Sequence, residues 1–252
     1  MATRIDQLLV ARGLAPSRSA AARLIGQGAV QWRLGPADWH TCHKAGEALP
    51  EHGELRLTDT RELRWVSRAG LKLDGALDRL GLTVSGEALD VGQSTGGFTE
   101  VLLARGARRV VGIEVGQGQL AAPLRQHPQV LTLEGVNARH LGPEHLDGVA
   151  PAPGFDWLVA DLSFISQTLV WPALLPWAAP HAQWLMLVKP QFELQPQHIG
   201  KGGLVKHEHL YAEVEHRLRH AAQALGLRTL AWIDSPITGG DGNREFFIHL
   251  AR

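Results

Sequence analysis

From residue 71 onward, short apolar runs alternate with segments of helical spacing, and this alternation constrains the fold more than any other feature. "LKLDGALDRLG" reads as a helix, "EALDV" as a strand and "GFTEVLLARG" as a helix. "RRVVGIEV" and "QVLTLEG" read as strands around a helix in "GQLAAPLRQH". "DWLVADLSF" is a strand, "ISQTLVWPALLPWA" a helix, "QWLMLVKP" a strand and "EHLYAEVEHRLRHAAQALG" a long helix. "RTLAWIDS" and "REFFIHLA" are the closing strands. Strand and helix in alternation predict an α/β fold, a mostly parallel sheet covered on both faces. Such sheets bind ligands at the carboxyl ends of their strands, near the point where strand order reverses.

The first strand runs into "LDVGQSTGGFTE". Asp90 ends the strand; Gly92, Gly96 and Gly97 follow, and a helix opens at Phe98. Glycines clustered between a strand and a helix mark backbone that turns sharply or approaches a ligand. The spacing is G-x-x-x-G-G, whereas a pyrophosphate-binding turn carries G-x-G-x-x-G. With an acid before it, this loop suits a ligand without phosphates. Glu114 ends the second strand, where a carboxylate can accept from ribose hydroxyls. Asn137 follows the third strand and can meet an adenine edge, and Asp161 ends the fourth. S-adenosylmethionine fits: it has an adenosine, no phosphate and a cationic sulfonium that acidic walls favour. NAD is the weaker alternative. The cofactor site is therefore expected at Asp90, Gly92, Ser94, Gly96, Gly97, Phe98, Glu114, Asn137 and Asp161.

The first 33 residues differ in character. Ile5, Leu8, Leu9 and Leu14 form one apolar set broken at Gly13. Ser17 or Ser19 can cap a second helix ending at Gly26 or Gly28, and "AVQW" follows as a strand. Arginines at 4, 12, 18, 23 and 33 face a single acid, Asp6, although the whole chain balances 25 basic against 25 acidic residues. A neutral protein thus carries a basic first unit, which is either an RNA-binding face or a solvated helical surface. Residues 34 to 53 read as loops with a weak strand, "ELRLTD" as a closing strand, and "TRELRWVSRAG" as a charged connector. One cysteine, Cys42, leaves no internal disulfide and fits a reducing compartment. The charges at Arg4, Asp6 and Arg12 interrupt the apolar run that a signal peptide needs, so the cytoplasm is the expected location. Residues 162 to 188 contain no Asp, Glu, Lys or Arg, but Pro172, Pro176 and Pro180 favour a buried helix and strand over a membrane span. The histidines show no metal-ligand spacing, and no metal is expected.

Lys72, Asp161, Lys189 and Glu245 are charged residues set on or beside apolar elements. They lie in the segments where FtsJ-type ribose 2′-O-methyltransferases carry a K-D-K-E tetrad. "VSRAGLKL", "DVGQSTGGFTE", "VADLSFIS", "VKPQFE" and "GNREFF" resemble the TlyA family more closely, over nearly the whole chain. The start "RIDQLLVARGLAPSRSAAARLI" resembles an S4-type RNA-binding domain, and "RWVS" the family's interdomain linker. From Trp32 to Glu54 the chain departs from the family, with "VQWRLGPADWH" replacing the usual V-x-V-N-G turn and the basic segment after it.

The resemblance implies a Rossmann-like class I methyltransferase with a mixed seven-stranded sheet at residues 68–252. A small α+β S4-like domain at 1–60 and a linker at 61–67 precede it. It implies methylation of a ribose 2′-hydroxyl, that of a cytidine, in ribosomal RNA or a ribosomal subunit. Lys72, Asp161, Lys189 and Glu245 would form the catalytic set, with Arg4, Arg18, Arg23, Arg64 and Arg68 as RNA contacts. A ribose hydroxyl is a poor nucleophile and must lose its proton as it attacks. Lys189 is the best candidate base. The neighbouring charge of Lys72 favours release of its proton, while Asp161 opposes this and fixes orientation. Glu245 would hold a lysine or the hydroxyl. The glycine loop "GKGGLV" reads equally as a lid near Lys189 or a surface loop. Some family members have been called hemolysins, so a membrane-lytic protein is a competing reading. An RNA-binding protein with an inactive methyltransferase fold is another.

Overall fold

The computed structural model describes residues 2–240 and 242–252. The chain divides into two compact units, Met1–Trp65 and Val66–Arg252.

In the first unit, α1 (Ile5–Ala11) and α2 (Arg18–Gly26) pack on short strands. β1 (Ala2–Arg4) pairs antiparallel with β4 (Ala48–Pro50). β2 (Val30–Arg33) lies between β3 (His40–Thr41) and β5 (Glu54–Leu57), antiparallel to both. Ser17 caps α2 by accepting the Ala20 N–H at 3.2 Å. Ile5, Leu8, Leu9, Leu24, Ile25 and Val30 close the core. The stretch expected to be loops with one weak strand holds two short strands, in separate sheets.

The second unit begins with α3 (Arg68–Leu80). Then come β6 (Glu87–Val91), α4 (Gly97–Arg105), β7 (Arg109–Glu114), α5 (Ala122–Arg125), β8 (Val130–Glu134), α6 (Pro143–Leu146) and β9 (Phe155–Asp161). α7 (Trp171–Leu174), β10 (Ala178–Val188), α8 (Pro190–Glu193), α9 (His209–Ala224), β11 (Arg228–Asp234) and β12 (Phe246–Ala251) complete it. The seven-stranded sheet has the order β11-β12-β10-β9-β6-β7-β8. β12 runs antiparallel to both its neighbours, and the remaining pairs are parallel. The sheet is therefore mixed and Rossmann-like. From central β6 the chain builds outward to β8, then crosses to β9, so strand order reverses between β6 and β9. A crevice at the carboxyl ends of these strands follows from that reversal.

Two expected helices are much shorter in the structure. "GQLAAPLRQH" keeps only α5. "ISQTLVWPALLPWA" breaks into a 3-10 turn at Gln167–Leu169, α7, and a second 3-10 turn at Leu175–Trp177. Pro172 and Pro176 lack the N–H that a continuous helix needs. The apolar stretch instead feeds the core, where Val170, Trp171, Leu174, Trp184 and Met186 are fully buried. Among the described residues, no helix is long and apolar enough to cross a membrane.

Register sets the site. Leu187 on β10 pairs with Asp161 on β9, and Val188 pairs with Phe246 on β12. Lys189 follows Val188 and Glu245 precedes Phe246, so three of the four tetrad residues meet at one edge because of strand pairing alone.

Candidate active site

Two cavities adjoin at this edge and share Gly92, Ser94, Asp161 and Ser163. The larger, about 550 Å³, is walled by Ile113, Glu114, Val115, Gln119, Val136, Asn137 and the segment from Asp161 to Ile165. Among the described residues, no lysine or arginine lines it, while two carboxylates do. The smaller, about 300 Å³, is lined by Arg68, Lys72, Gly97, Phe98 and Lys189 besides the shared residues.

In the larger cavity, the turn after β6 is held by Glu114. Its Oε2 accepts the Ser94 N–H at 2.8 Å and its Oε1 accepts the Gly116 N–H at 2.7 Å. A carboxylate oxygen has two lone pairs, so each still has capacity for a ligand hydroxyl. The Asn137 Oδ1 accepts the Arg139 N–H at 3.0 Å, which leaves its amide N–H groups for a ring edge. Gly92 has φ +82°, and a Cβ there would lie 2.6 Å from the Asp161 carbonyl oxygen. Only glycine lets β6 and β9 end this close together. Ser94 is also left-handed, with φ +48°.

Four residues expected at the cofactor do not line the larger cavity. Asp90 is 1% exposed and lines neither cavity. Its Oδ2 accepts the Thr99 hydroxyl at 2.7 Å, and Thr99 in turn accepts from Gln93 Nε2 at 2.8 Å. Burial pushes the Asp90 carboxyl up to about 7, against the Thr99 hydrogen bond and with the nearby carboxylates of Asp161 and Glu114 adding to the rise. Asp90 thus braces the turn from beneath. Gly96, at φ +95°, makes room for Leu120 and Leu124. Phe98 and Gly97 line the smaller cavity only.

The tetrad forms two ion pairs. Lys72 Nζ lies 2.6 Å from Glu245 Oε2, and Lys189 Nζ lies 2.6 Å from Asp161 Oδ1. Lys189 also donates to Ser163 Oγ at 2.9 Å. Burial raises the Glu245 carboxyl above its ordinary range, opposed by the charges of Lys72 and Lys189. Each lysine therefore has its own carboxylate, and Glu245 is the partner of Lys72.

Further groups went unread in the sequence. Ser163 and Phe164 sit in "VADLSFIS", and Glu193 in "VKPQFE". Phe164 is 89% exposed at φ +65°, a conformation costly for a bulky residue, and lines the larger cavity with its ring 4.8 Å from that of Phe192. The buried Glu193 carboxylate accepts the Ser166 hydroxyl at 2.6 Å and the Gln167 N–H at 2.7 Å, and pairs with Arg217. Burial raises its proton affinity against these three donors.

The proposed RNA arginines fall in two groups. In the second unit, Arg68 opens α3 and lines the smaller cavity. In the first unit, Arg4 and Arg18 both pair with buried Asp6, at 3.0 and 3.1 Å, and Arg23 pairs with Glu62. Arg64 stacks on Trp65 with 4.8 Å to the ring centre. The glycine loop is tied down: Asn243 Nδ2 donates to the Gly203 carbonyl at 2.9 Å, and Asn243 Oδ1 accepts the Val205 N–H at 3.2 Å.

Residues 65–252 match the FtsJ-like methyltransferase family, and residues 3–31 match the S4 domain. The chain is 44% identical over 248 residues to the 16S/23S rRNA (cytidine-2′-O)-methyltransferase TlyA of Mycobacterium tuberculosis, covering 98% of this chain and 89% of that one. It is 32% identical to Hemolysin A of Brachyspira hyodysenteriae, covering 98% and 99% of the two chains. A solved structure bearing the hemolysin name, from Streptococcus thermophilus, superposes with a TM-score of 0.74 at 36% identity, covering all of this chain and 88% of the other.

Proposed function

The chain belongs to the FtsJ-like methyltransferase family, with an S4 domain ahead of the catalytic region, and from that membership we propose that it moves a methyl group from S-adenosylmethionine to a cytidine ribose 2′-hydroxyl in ribosomal RNA. One observation carries the reading. A cavity with two carboxylates and no cation adjoins a cavity bearing Lys72, Lys189 and Arg68, and the two share Asp161 and Ser163. The first suits a cationic nucleoside without phosphates, and the second an anionic nucleic acid.

The donor cavity fits the cofactor on its own residues. Glu114 keeps two lone pairs for ribose hydroxyls, Asn137 keeps its amide N–H groups for an adenine edge, and Gly92 admits backbone contact. When bound, S-adenosylmethionine supplies an electrophilic methyl carbon on sulfur. In the acceptor cavity, Arg68 takes a phosphate and the tetrad handles the hydroxyl. Lys189, after giving a proton to solvent, accepts the 2′-hydroxyl proton as the oxygen attacks. Asp161 and Ser163 then hold the resulting ammonium. Lys72, fixed by Glu245, keeps a second positive charge in the cavity, which stabilises the developing alkoxide. Alignment of donor and acceptor provides much of the remaining acceleration. We place the RNA-binding role in the first unit and the chemistry in the second.

Single-turnover transfer of labelled methyl to unmethylated rRNA tests this. Lys189→Ala is expected to slow transfer by roughly a hundredfold or more, with cofactor affinity and melting temperature near wild type. Near-normal turnover would remove Lys189 from the mechanism.

A further inference from the structure

Strands β2 and β5 and the loop after β2 build a surface of their own. Side chains alternate along a strand, so Gln31 and Arg33 share one face of β2. Val30 and Trp32 take the other, where Val30 is fully buried and Trp32 packs on the core. Across the sheet, Gln31 pairs with Arg56 and Thr41, and Arg33 pairs with Glu54. The loop after β2 returns Trp39 to this group. The Arg33 guanidinium lies 4.6 Å from the Trp39 ring centre, and that of Arg56 lies 4.2 Å from it.

Charge is not balanced here. Arg33 has an acid, Glu54, at 2.6 Å. Arg56 is exposed and donates twice to one neutral acceptor, Gln31 Oε1, at 2.9 and 2.7 Å. Gathering two cations on one half-buried ring while neutralising one of them leaves a fixed positive site. Arg4, Arg18 and Arg23 offer less, because Asp6 serves Arg4 and Arg18 and Glu62 serves Arg23.

We propose that Arg33, Trp39 and Arg56 form a binding site for a single-stranded segment of the RNA substrate, an inference that rests on the rRNA reading above. Arg56, held against the ring with Nε and Nη2 on Gln31, keeps its Nη1 N–H groups for a phosphate, with geometry set in advance. Planar aromatic and guanidinium groups stack unpaired bases without demanding a sequence. Gln31 holds Arg56 in place, so little side-chain freedom is lost on binding.

The test uses the full chain and an unmethylated rRNA fragment, with affinity measured across a salt series. Arg56→Gln is expected to weaken RNA binding roughly fivefold or more and to reduce the magnitude of the salt slope by about 0.7, the contribution of one phosphate on a single strand. Trp39→Ala is expected to weaken binding comparably, and Trp39→Phe to restore most of it. S-adenosylmethionine affinity and the rate at saturating RNA are expected to stay at wild-type values in all three. Unchanged RNA affinity and slope in Arg56→Gln and Trp39→Ala, with a wild type that binds RNA, would overturn the site alone. A wild type that binds cofactor but no RNA would overturn the substrate reading and the site with it. Competition by polyglutamate as strong as by RNA would overturn the assignment to nucleic acid.

Discussion

Asp90 illustrates what a single residue type can and cannot say. Its position before the glycine turn was legible, and so was the importance of the turn, but its side chain points into the core. The distinction lies in Thr99 and Gln93, whose hydrogen bonds to one another and to Asp90 depend on how α4 packs over β6. Linear sequence shows the spacing of these groups and hides their direction. The burial has a measurable consequence. Asp90 in the folded protein gives up its proton near pH 7, against about 3.9 for an unfolded aspartate. A raised folded value means that the fold favours the protonated form. Its stabilisation is complete below about pH 4 and is lost progressively as pH rises toward 7. Asp90→Asn keeps an acceptor for Thr99 and removes the ionisation. Its melting temperature is expected to exceed that of the wild type by several degrees at pH 8, with the gap closing toward pH 4. A gap independent of pH would mean that Asp90 does not titrate in this range.

At the scale of elements, strand order and register deliver the tetrad. The alternating pattern gave the sheet, and the apolar runs gave its strands, because both depend on local periodicity. The pairing of β10 with β12, which brings Lys189 beside Glu245, depends on contacts far apart in sequence, and only the grouping of the tetrad, not this pairing, was reached through family resemblance. The segment after β9 was misread as a helix. Its apolar composition suits a buried helix, but Pro172 and Pro176 break the ladder and leave irregular backbone at the cavity wall. Such backbone needs anchoring, and Glu193 supplies it. From α8, four residues after Lys189, it takes the Ser166 hydroxyl and the Gln167 N–H, while Gln167 Nε2 donates to the Leu187 carbonyl at 2.9 Å. The loop bearing Ser163 is thereby fixed to the strand bearing Lys189. Glu193→Gln retains the shape but replaces one acceptor oxygen with a donor, beside groups that already donate. Transfer rate is expected to fall roughly tenfold, with RNA KM and cofactor affinity little changed. Glu193→Asp, which restores the charge at shorter reach, should recover part of the rate. Equal losses in rate and in both affinities would indicate general unfolding instead of misplacement of Lys189.

Over the whole molecule, 25 basic residues cancel 25 acidic ones, so attraction to RNA must be local. The basic count of the first unit was legible, but the pairing that cancels it was not. Asp6 is only 3% exposed and holds two guanidinium groups, an arrangement produced by the turn into α1 and the start of α2. The Arg4 guanidinium, against the opposing effect of burial and with Arg18 adding to it, holds the Asp6 carboxyl down at about 2, so the cluster stays ionised through the neutral range. Its three charges sum to a single positive one. The two binding reactions should then respond differently to salt. The donor cavity has no lysine or arginine, and its proposed ligand carries no phosphate, so no counterions are released from a polyanion when it binds. Cofactor affinity is expected to change by less than about twofold between roughly 50 and 200 mM salt. RNA affinity is expected to fall with a slope of magnitude no greater than roughly 4, corresponding to a handful of phosphate contacts rather than a broad basic field. Titration calorimetry for the cofactor and filter binding for rRNA, in the same buffers, would measure both. A cofactor affinity as salt-sensitive as that for RNA would contradict a cation-free, phosphate-free donor site. A much steeper RNA slope would require phosphate contacts well beyond the few uncompensated arginines, and would contradict recognition by local sites.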